Sequence, residues 1–388
     1  MNFRLGINYW PISSAMHWWE RFDGEEVARD FEQIAQAGFD SVRIFLLWET
    51  FQPSPNAVSD QSLARLVDVA DVAKRSRLSL VPTLFTGHMS GVNWIPEWAL
   101  EEGDGCSRFR IVSNGKVVRE RPRNWYTDPG VLSAQRLLAR EVASALSNHP
   151  AVWAYDLGNE NSNCVVPPSR ESAVAWLEQI AGEIRYVDPS RPITMGLHME
   201  DLEEDRKLGP QEAGRVCEFL SMHGYPIYAD WAESKTDAMV LPFLAAITRW
   251  LGGREVLFEE FGAPATDDSL PGPVTLLGEN EAARFTHDAL EGLLRSGCLG
   301  AMVWCYGDYA EWLWRWPPLD DAIHERYFGL WRSDHSPKPA AGEIGRLVNV
   351  EVCEPPEDLG WVDIDPSAYY ADPRENLRRL YREYRERV

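Results

Sequence analysis

The amino-acid sequence predicts an α/β protein built as a single (β/α)8 barrel of the TIM type. Eight short runs rich in β-branched and aromatic residues recur along the 388 residues, and a segment with helical spacing of apolar residues follows most of them. Neither a Ser/Gly-rich or Pro-rich linker nor a repeat of fixed period divides the chain. We therefore expect one barrel in residues 1–350 with long loops after its strands, and a short C-terminal extension packed on it in residues 351–388.

A doubly wound parallel sheet is the alternative fold. That fold normally carries a glycine-rich phosphate-binding turn after its first strand. The segment from Gly6 to Trp10 offers no such turn, so the barrel is favoured.

In the first half of the chain, four predicted strands alternate with three helices. The first helix begins after Asp23, a good N-cap residue, and carries Glu25 and Glu26 in its first turn, where acidic side chains interact well with the helix dipole. The next two helices are indicated by apolar residues at helical spacing around Leu66 and Leu138. Residues 87–129 show neither period and are predicted to be irregular. The strands are predicted at residues 3–9, 41–48, 78–85 and 152–158.

The second half continues the alternation. Helices are predicted at residues 173–186, 238–251 and 281–294, and a last helix of the barrel begins near Pro339. In the extension, residues 373–388 form a charged helix that we expect on the outside of the barrel. The four remaining strands are predicted at residues 193–198, 219–223, 256–260 and 299–304.

The charge balance excludes two classes of partner. The chain has 38 Lys and Arg against 60 Asp and Glu, a formal net charge of −22, so it would be repelled by nucleic acid and by anionic membranes. No signal peptide and no membrane-spanning run is visible. The six cysteines are scattered, which indicates free thiols and, with the other two observations, a cytoplasmic location. These cysteines are Cys106, Cys164, Cys217, Cys298, Cys305 and Cys353.

Polar residues close several of the predicted strands, and barrels of this type carry their chemistry at the carboxyl ends of the strands. Glu160 follows the fourth strand and Glu260 ends the seventh. Two carboxylates at such positions are the minimum equipment for glycoside hydrolysis, in which one assists the leaving group and the other attacks the sugar. A single strand-end Glu is more often solvated. The prediction therefore rests on the further strand-end residues His223, Tyr225 and Trp304.

Two neighbouring features bear on that pair. Glu259 and Glu260 are not expected to point the same way, because successive side chains of a strand face opposite sides. Arg43 lies within an apolar run, so its charge must meet a carboxylate. It is either a structural ion pair or a partner that lowers the pKa of the nucleophile, and we favour the second role.

These segments together are similar to glycoside hydrolase family 5, a family of retaining (β/α)8 enzymes, and the similarity extends from Gly6 to about Ala341. The Asn-Glu pair and the Glu-Phe-Gly turn at the right strands make the combination specific. The motifs are Gly-Ile-Asn-Tyr-Trp-Pro at 6–11, Val-Arg-Ile at 42–44, Gly-Asn-Glu at 158–160, His-Gly-Tyr-Pro at 223–226, Glu-Glu-Phe-Gly at 259–262, and Trp304.

The resemblance implies a role for each matched residue. Glu160 would be the general acid/base and Glu260 the nucleophile. A proton donor needs a raised pKa, whereas a nucleophile must stay ionised. The two carboxyl groups of a retaining enzyme should lie about 5 to 5.5 Å apart. The other implied roles are orientation of the nucleophile by Arg43 and Tyr225, a bond from Asn159 to the sugar 2-hydroxyl, and walls formed by His223 and Trp304.

Within the family, residues 87–98 and 43–48 look most like the intracellular branch that acts on β-mannosides. The long segments 87–129 and 307–327 could close one end of the cleft, so we expect exo-action on short β-mannosides. His88, Trp10 and Trp94 are further candidate sugar contacts, since sugars stack on aromatic rings. Many of the other tryptophans are expected only to pack loops onto the barrel.

Three alternatives stay open. The chain could be an endo-β-1,4-mannanase, or a β-1,4-glucanase or β-glucosidase, of the same family. It could also be a carbohydrate-binding barrel without activity, although the presence of both glutamates argues against that. A metal-dependent barrel hydrolase would need ligands such as His-x-His after the first strand, where Asn8, Tyr9 and Trp10 stand. We therefore expect neither a metal nor another cofactor.

Overall fold

A computed structural model describes residues 2–105, 107–356 and 359–387. Eight parallel strands close into one barrel in chain order, with β8 pairing with β1, which confirms the predicted fold class. The strands are β1 Arg4–Asn8, β2 Ser41–Leu47, β3 Ser79–Thr86, β4 Tyr155–Asn159, β5 Ile193–His198, β6 Leu220–His223, β7 Val256–Phe261 and β8 Gly300–Val303.

The longer helices surround this barrel. Asp23 caps the first helix as predicted, with its carboxylate accepting hydrogen bonds from the backbone of Glu25 and Glu26. Ser59, Asp128 and Ser169 cap the next three helices in the same way. The seven helices are α1 Gly24–Gln36, α2 Asp60–Arg75, α3 Pro129–Leu146, α4 Arg170–Val187, α5 Val240–Gly252, α6 Glu279–Arg295 and α7 Pro373–Arg387.

One end of the barrel interior is apolar. Val81, Ala154, Leu257 and Met302 are buried in a small cluster there, and a Cβ atom added to Gly6 would lie 2.4 Å from the Met302 side chain. The glycine in β1 thus leaves room for a large side chain inside the barrel.

The strand predictions are largely confirmed: β5 has the predicted ends, and the ends of the other strands differ from prediction by at most three residues. The largest difference is at β4, which starts at Tyr155 because Val152 makes only an isolated bridge to Leu80. The last barrel helix is short, Ala341–Ile344, and a single 3-10 turn follows it.

The stretch 87–129 is more ordered than predicted. It contains a four-stranded sheet and a separate two-stranded one, in strands of two to four residues. Strands this short do not repeat often enough to give a visible alternation in the sequence. The sheet strands are His88–Met89, Val92–Trp94, Arg110–Ser113 and Lys116–Val118, and the pair is Leu100–Glu101 with Arg121–Pro122.

The C-terminal helix α7 contacts α5 and a short helix, Glu200–Glu203, that follows β5. Its apolar face is buried, with Leu377 and Leu380 fully inaccessible. The described cysteines are free, and Cys106 lies outside the described residues. Within the described ranges, none of the helices combines the length and apolar character needed to cross a bilayer.

Candidate active site

The carboxyl ends of the barrel strands surround a cavity of about 460 Å³. Most of the predicted site residues lie on its wall, whereas Arg43 is fully buried beside it. The polar and aromatic side chains of the wall are His88, Ser90, Arg108, Phe109, Asn159, Glu160, Asn163, His198, Glu200, Glu203, His223, Tyr225, Tyr228, Glu260, Trp304, His324, Glu325 and Phe328.

Glu160 and Glu260 approach each other at the bottom of this cavity. Glu160 directly follows β4 in a left-handed backbone conformation (φ 49°), whereas Glu260 lies near the end of β7. The Nδ1 atom of His223 is 3.0 Å from Glu160 Oε1 and 3.6 Å from Glu260 Oε1. One ligand atom from each of these three side chains lies within 4.8 Å of the other two. The two carboxyl groups are therefore close enough to act on one bond of a bound molecule.

Both oxygens of Glu260 are held by other side chains. Arg43 Nη1 donates to Oε1 at 2.5 Å, and the Tyr225 hydroxyl donates to Oε2 at 2.8 Å. Burial and the charge of Glu260 raise the pKa of Tyr225 well above its ordinary value, so the phenol keeps its proton and remains a donor. This arrangement fixes the carboxylate in one orientation.

Arg43 is the centre of a buried network. Its guanidinium donates to Asp156 at 2.7 Å and to Asn159 Oδ1 at 2.9 Å, and its Nε donates to Thr83. Burial alone would lower the pKa of Arg43, but nearby carboxylates more than offset this and raise it. Arg43 thus forms ion pairs with both Asp156 and Glu260.

The orientation of Glu259 differs from the predicted one. The structure turns it toward the same two groups as Glu260, with Oε1 3.5 Å from Arg43 Nε and Oε2 3.5 Å from His223 Nε2. The strict alternation fails because β7 contains a bulge: its pairing with β8 advances three residues, from Phe258 to Phe261, while β8 advances two. Glu259 is fully buried, and neither of its oxygens has a hydrogen-bond partner.

The protonation of Glu160 also differs from expectation. Burial alone would raise its pKa, but the imidazoles of His198, His223 and His88 lower it below the ordinary value. Burial would lower the pKa of His223, yet Glu260, the hydrogen bond to Glu160 and the neighbouring carboxylate of Glu259 together raise it to about 10. In the unliganded site, the proton of the His223–Glu160 pair is therefore held mainly by His223.

The pKa of Glu260 differs from expectation in the opposite direction, because it is raised. Arg43 does lower its pKa, as expected, but burial and the neighbouring charge of Glu160 outweigh Arg43, and the net pKa is raised. Burial and Glu259 likewise raise the pKa of Asp156 to about 6. Several carboxylates thus compete for the two cations, Arg43 and His223, and they titrate together rather than singly.

The remaining predicted residues on the wall surround this pair. Asn159 donates from Nδ2 to the backbone oxygen of His88 at 2.7 Å. The His88 ring contacts Asn93 through Nδ1 at 2.7 Å, and its Nε2 is 3.8 Å from Glu160. Trp304 lines the cavity and packs edge-on against Phe45.

Trp10 and Trp94 are not on the cavity wall, which corrects their assignment as sugar contacts. Trp10 is fully buried and stacks on Phe45 with the ring centres 5.0 Å apart. Trp94 is buried in the small sheet and lies edge-on to His17. Both rings belong to the hydrophobic core, where they pack the long loops onto the barrel.

His198 was not among the predicted site residues, although it is the last residue of β5 and so stands at a strand end like the others. Its Nδ1 is 3.8 Å from Glu160 Oε2, and its Nε2 is 3.0 Å from the Ser162 hydroxyl. Ser162 in turn donates to Asp201 at 2.6 Å. His198 is therefore a third imidazole beside Glu160, held by side chains behind it.

No sequence pattern predicted that several other residues of the wall would lie in the site. Arg108 pairs with Glu200, and Tyr228 lies beside His324 and Glu325. They come from loops whose course only the folded chain determines.

The site offers one group of side chains that could bind a cation. Among the described residues, Glu160, His223 and Glu260 are the single set whose ligand atoms lie close enough together. Arg43 already places a positive charge 2.5 Å from Glu260, and a cation there would be repelled. The set fits a carboxylate pair with its hydrogen-bond partners better than a metal centre.

Comparison with known proteins identifies similar sequences. The sequence model described as cellulase (glycosyl hydrolase family 5) matches residues 8–308. A putative mannan endo-1,4-beta-mannosidase 9 from Oryza sativa subsp. japonica is 22% identical over 330 residues, covering 77% of this chain and 76% of that protein. Mannan endo-1,4-beta-mannosidase A from Hypocrea jecorina is 22% identical over 299 residues, covering 73% of this chain and 63% of that protein.

Solved structures share the fold. A GH5_18 protein from Streptomyces cattleya in complex with Manb1-4GlcNAc has a TM-score of 0.75 at 24% identity, covering 89% of this chain and 80% of that chain. An exo-beta-1,4-mannosidase from Opitutaceae bacterium strain TAV5 has a TM-score of 0.73 at 23% identity, covering 89% of this chain and 59% of that chain.

Proposed function

Because the chain belongs to glycoside hydrolase family 5 and is a glycoside hydrolase, we propose that it is a retaining, exo-acting β-mannosidase. Its substrates would be short β-mannosides or manno-oligosaccharides, from which it releases mannose at the non-reducing end. Glu160 would be the acid/base and Glu260 the nucleophile.

The spacing of the two carboxylates carries the mechanistic part of this proposal. Their nearest oxygens are within 4.8 Å of each other. Retaining enzymes keep the carboxyl groups about 5 to 5.5 Å apart, whereas inverting enzymes need roughly 6.5 to 9.5 Å to admit a water molecule between sugar and base. The short separation supports direct attack by Glu260.

In the first step, a carboxylate oxygen of Glu260 forms a bond to the anomeric carbon while the glycosidic bond breaks. The leaving oxygen takes a proton from Glu160, so the alcohol departs neutral. Arg43 and Tyr225 hold Glu260 in the attacking orientation. In the second step, Glu160 takes a proton from water, whose oxygen bonds to the anomeric carbon as the bond to Glu260 breaks.

The proton for the first step would come from the His223–Glu160 pair. These side chains are joined by a hydrogen bond of 3.0 Å, so a proton can lie on either partner with little movement of heavy atoms. A bound sugar excludes water and so destabilises the ionised form of Glu160 relative to the protonated form. We propose that this shift places the proton on Glu160 when the glycosidic oxygen is adjacent.

Two ion pairs support exo-action, because they tie the loop after β3 across the mouth of the barrel. Arg110 makes a bidentate pair with Asp320 of the loop after β8, at 2.8 and 2.9 Å. Arg108 makes a second bidentate pair with Glu200, in the loop after β5. A polymer passing through the cavity would have to displace this bridge.

The preference for mannose is supported by the relatives, several of which are named mannosidases or mannanases. The curated relatives are named as endo-enzymes, which makes endo-β-1,4-mannanase activity the second candidate. A glucanase or β-glucosidase of the same family is the third.

Covalent trapping tests the proposal. The protein is incubated with an activated 2-deoxy-2-fluoro-mannoside and, separately, with the gluco analogue, and the labelled peptide is identified by mass spectrometry. We expect labelling of Glu260 by the manno reagent. Preferential labelling by the gluco reagent would overturn the sugar assignment, and a label on another residue would overturn the nucleophile.

The acid/base assignment has its own test. In E160A, turnover of aryl mannosides with poor leaving groups should fall by about 100-fold or more, whereas dinitrophenyl mannoside, which needs no proton donor, should still be cleaved in the first step. Added azide should restore the second step and yield β-mannosyl azide. If azide failed to accelerate turnover by E160A, Glu160 would not be the acid/base.

A further inference from the structure

Glu325 stands out among the carboxylates of the cavity. It lies on the 3-10 turn Ile323–Tyr327 in the loop after β8 and lines the cavity with Glu160 and Glu260. The residue is 7% exposed, yet its Oε2 has no hydrogen-bond partner.

The other carboxylates of the wall are held by protein groups. Glu260 is bound by Arg43 and Tyr225, and Glu200 by two arginines. Glu203 accepts a hydrogen bond from the Trp231 ring nitrogen at 2.7 Å. On the described wall, Glu325 alone has a buried carboxylate oxygen without a partner.

The contacts on its other oxygen are weak. Oε1 is 3.4 Å from the Tyr228 hydroxyl and 3.4 Å from His324 Nε2. A buried carboxylate oxygen without a donor is costly, and such groups in folded proteins call for a ligand or another explanation. Glu325 lines the cavity and is only weakly held by protein groups, so a neutral ligand rich in hydroxyl groups would donate to its carboxylate without adding charge.

The position of Glu325 indicates which part of a substrate it meets. Tyr228 and Phe328 both lie beside Tyr225, with ring centres 5.8 and 5.9 Å away, and Tyr225 holds the nucleophile. The nucleophile attacks the sugar whose bond is broken, whereas the acid/base faces the leaving group. Glu325 is thus on the side of the attacked sugar.

From this arrangement, and resting on the proposed function, we infer that Glu325 binds the non-reducing terminal sugar, with its carboxylate accepting hydrogen bonds from hydroxyl groups of that sugar. In a 1,4-linked polymer the 4-hydroxyl of an internal residue is consumed by the linkage. A carboxylate that requires free hydroxyls on this sugar therefore favours chain ends over internal residues and makes Glu325 a specificity determinant.

The test compares E325Q and E325A with wild type on an aryl β-mannoside and on a mannose-terminated disaccharide. A hydrogen bond between a hydroxyl and a charged group gives an expected loss in kcat/KM of about 10- to 100-fold for E325A on both substrates, with E325Q intermediate. A loss confined to the disaccharide would overturn the assignment to the terminal sugar. No loss on either substrate would overturn the sugar contact altogether.

A second comparison separates binding from support of the loop. Aryl β-mannosides lacking the 4- or the 6-hydroxyl are assayed with wild type and E325A. If Glu325 binds one of these hydroxyls, wild type discriminates against that deoxy substrate and E325A no longer does. Equal discrimination by both enzymes for both analogues would show that Glu325 acts only on the loop, and would contradict the inference.

The control is E311Q, the same substitution at an exposed residue of the same loop outside the cavity, which should behave as wild type. Thermal unfolding confirms that each variant is folded. Failure of the proposed function has a different signature: wild type would prefer another aryl glycoside, and Glu325 would then be tested on that sugar in the same way.

Discussion

At the scale of single residues, the site is a cluster of charged side chains that are far apart in the sequence. Arg43 and His223 are the cations, and four carboxylates share them: Asp156, Glu160, Glu259 and Glu260. Because all are buried or nearly so, each charge is felt strongly by the others. The protonation of Glu160 is therefore a property of the whole group of charges.

Glu259 makes this dependence testable. Its carboxylate lies 3.5 Å from His223 Nε2 and helps to raise the pKa of His223, so E259Q should lower that pKa and allow the His223–Glu160 pair to lose its proton at lower pH. We expect the alkaline limb of kcat/KM against pH to move down by about 1 unit. The measurement is a pH–rate profile on an aryl β-mannoside.

D156N is the matched control for that experiment. Asp156 is also a fully buried partner of Arg43, but it makes no described contact with His223. We expect D156N to reduce stability and activity but to move the alkaline limb less than E259Q does. An E259Q profile with the wild-type alkaline limb would show that the charge of Glu259 does not govern His223.

At the scale of elements, bulges near the ends of β4 and β7 build the site. In β4, Asp156 pairs with Thr194 and Asn159 with Gly196, so one extra residue is accommodated. Both Asp156 and Asn159 then reach Arg43, although strict alternation would turn them to opposite faces. The bulges thus gather side chains that a regular barrel would separate.

The bridge across the barrel mouth gives a prediction at this scale. Arg110 and Asp320 are each about one-third exposed, so their pair contributes at most about 1 kcal/mol. D320R should loosen the bridge, raise KM for an aryl β-mannoside by a few-fold and increase internal cleavage of mannan. The readouts are initial rates and the viscosity loss per reducing end formed.

The swapped pair R110D/D320R restores opposite charges and should return both readouts toward wild type. If mannan were cut internally at the same rate by wild type, D320R and the swapped variant, the bridge would not be what limits access of the polymer.

At the scale of the whole molecule, the aromatic residues form much of the packing between loops and barrel. Trp48, for example, packs edge-on against Phe85, Trp98 and Trp125. The C-terminal extension is joined in the same way, since Tyr381 contacts Phe243 and Trp231 at 4.9 and 5.0 Å. We infer that barrel and extension unfold as one unit.

Two substitutions of Tyr381 test this. The ring is 2% exposed, and its hydroxyl donates to Asp237 at 2.7 Å. Y381A should reduce the free energy of unfolding by about 3 to 5 kcal/mol through the cavity it leaves, whereas Y381F loses one hydrogen bond and should cost about 1 kcal/mol. Urea unfolding followed by fluorescence gives both values. Two separate transitions, or a negligible effect of Y381A, would contradict a single unit.

The sequence by itself determined the barrel and the identity of its strand-end residues. The alternation of strands and helices is local, and carboxyl ends of parallel strands in a closed barrel must meet at one face. Glu160, Glu260, His223 and Tyr225 could therefore be placed together before any coordinates, as could the need of Arg43 for a carboxylate.

Only the tertiary structure decided the rest. The bulge that turns Glu259 inward, the burial of Trp10 and Trp94, and the arrival of Glu325 in the cavity depend on how strands slip and long loops fold, which involves partners far apart in the chain. The charge states of Glu160 and Glu260 depend on all of their neighbours at once, so residue type alone could not give them.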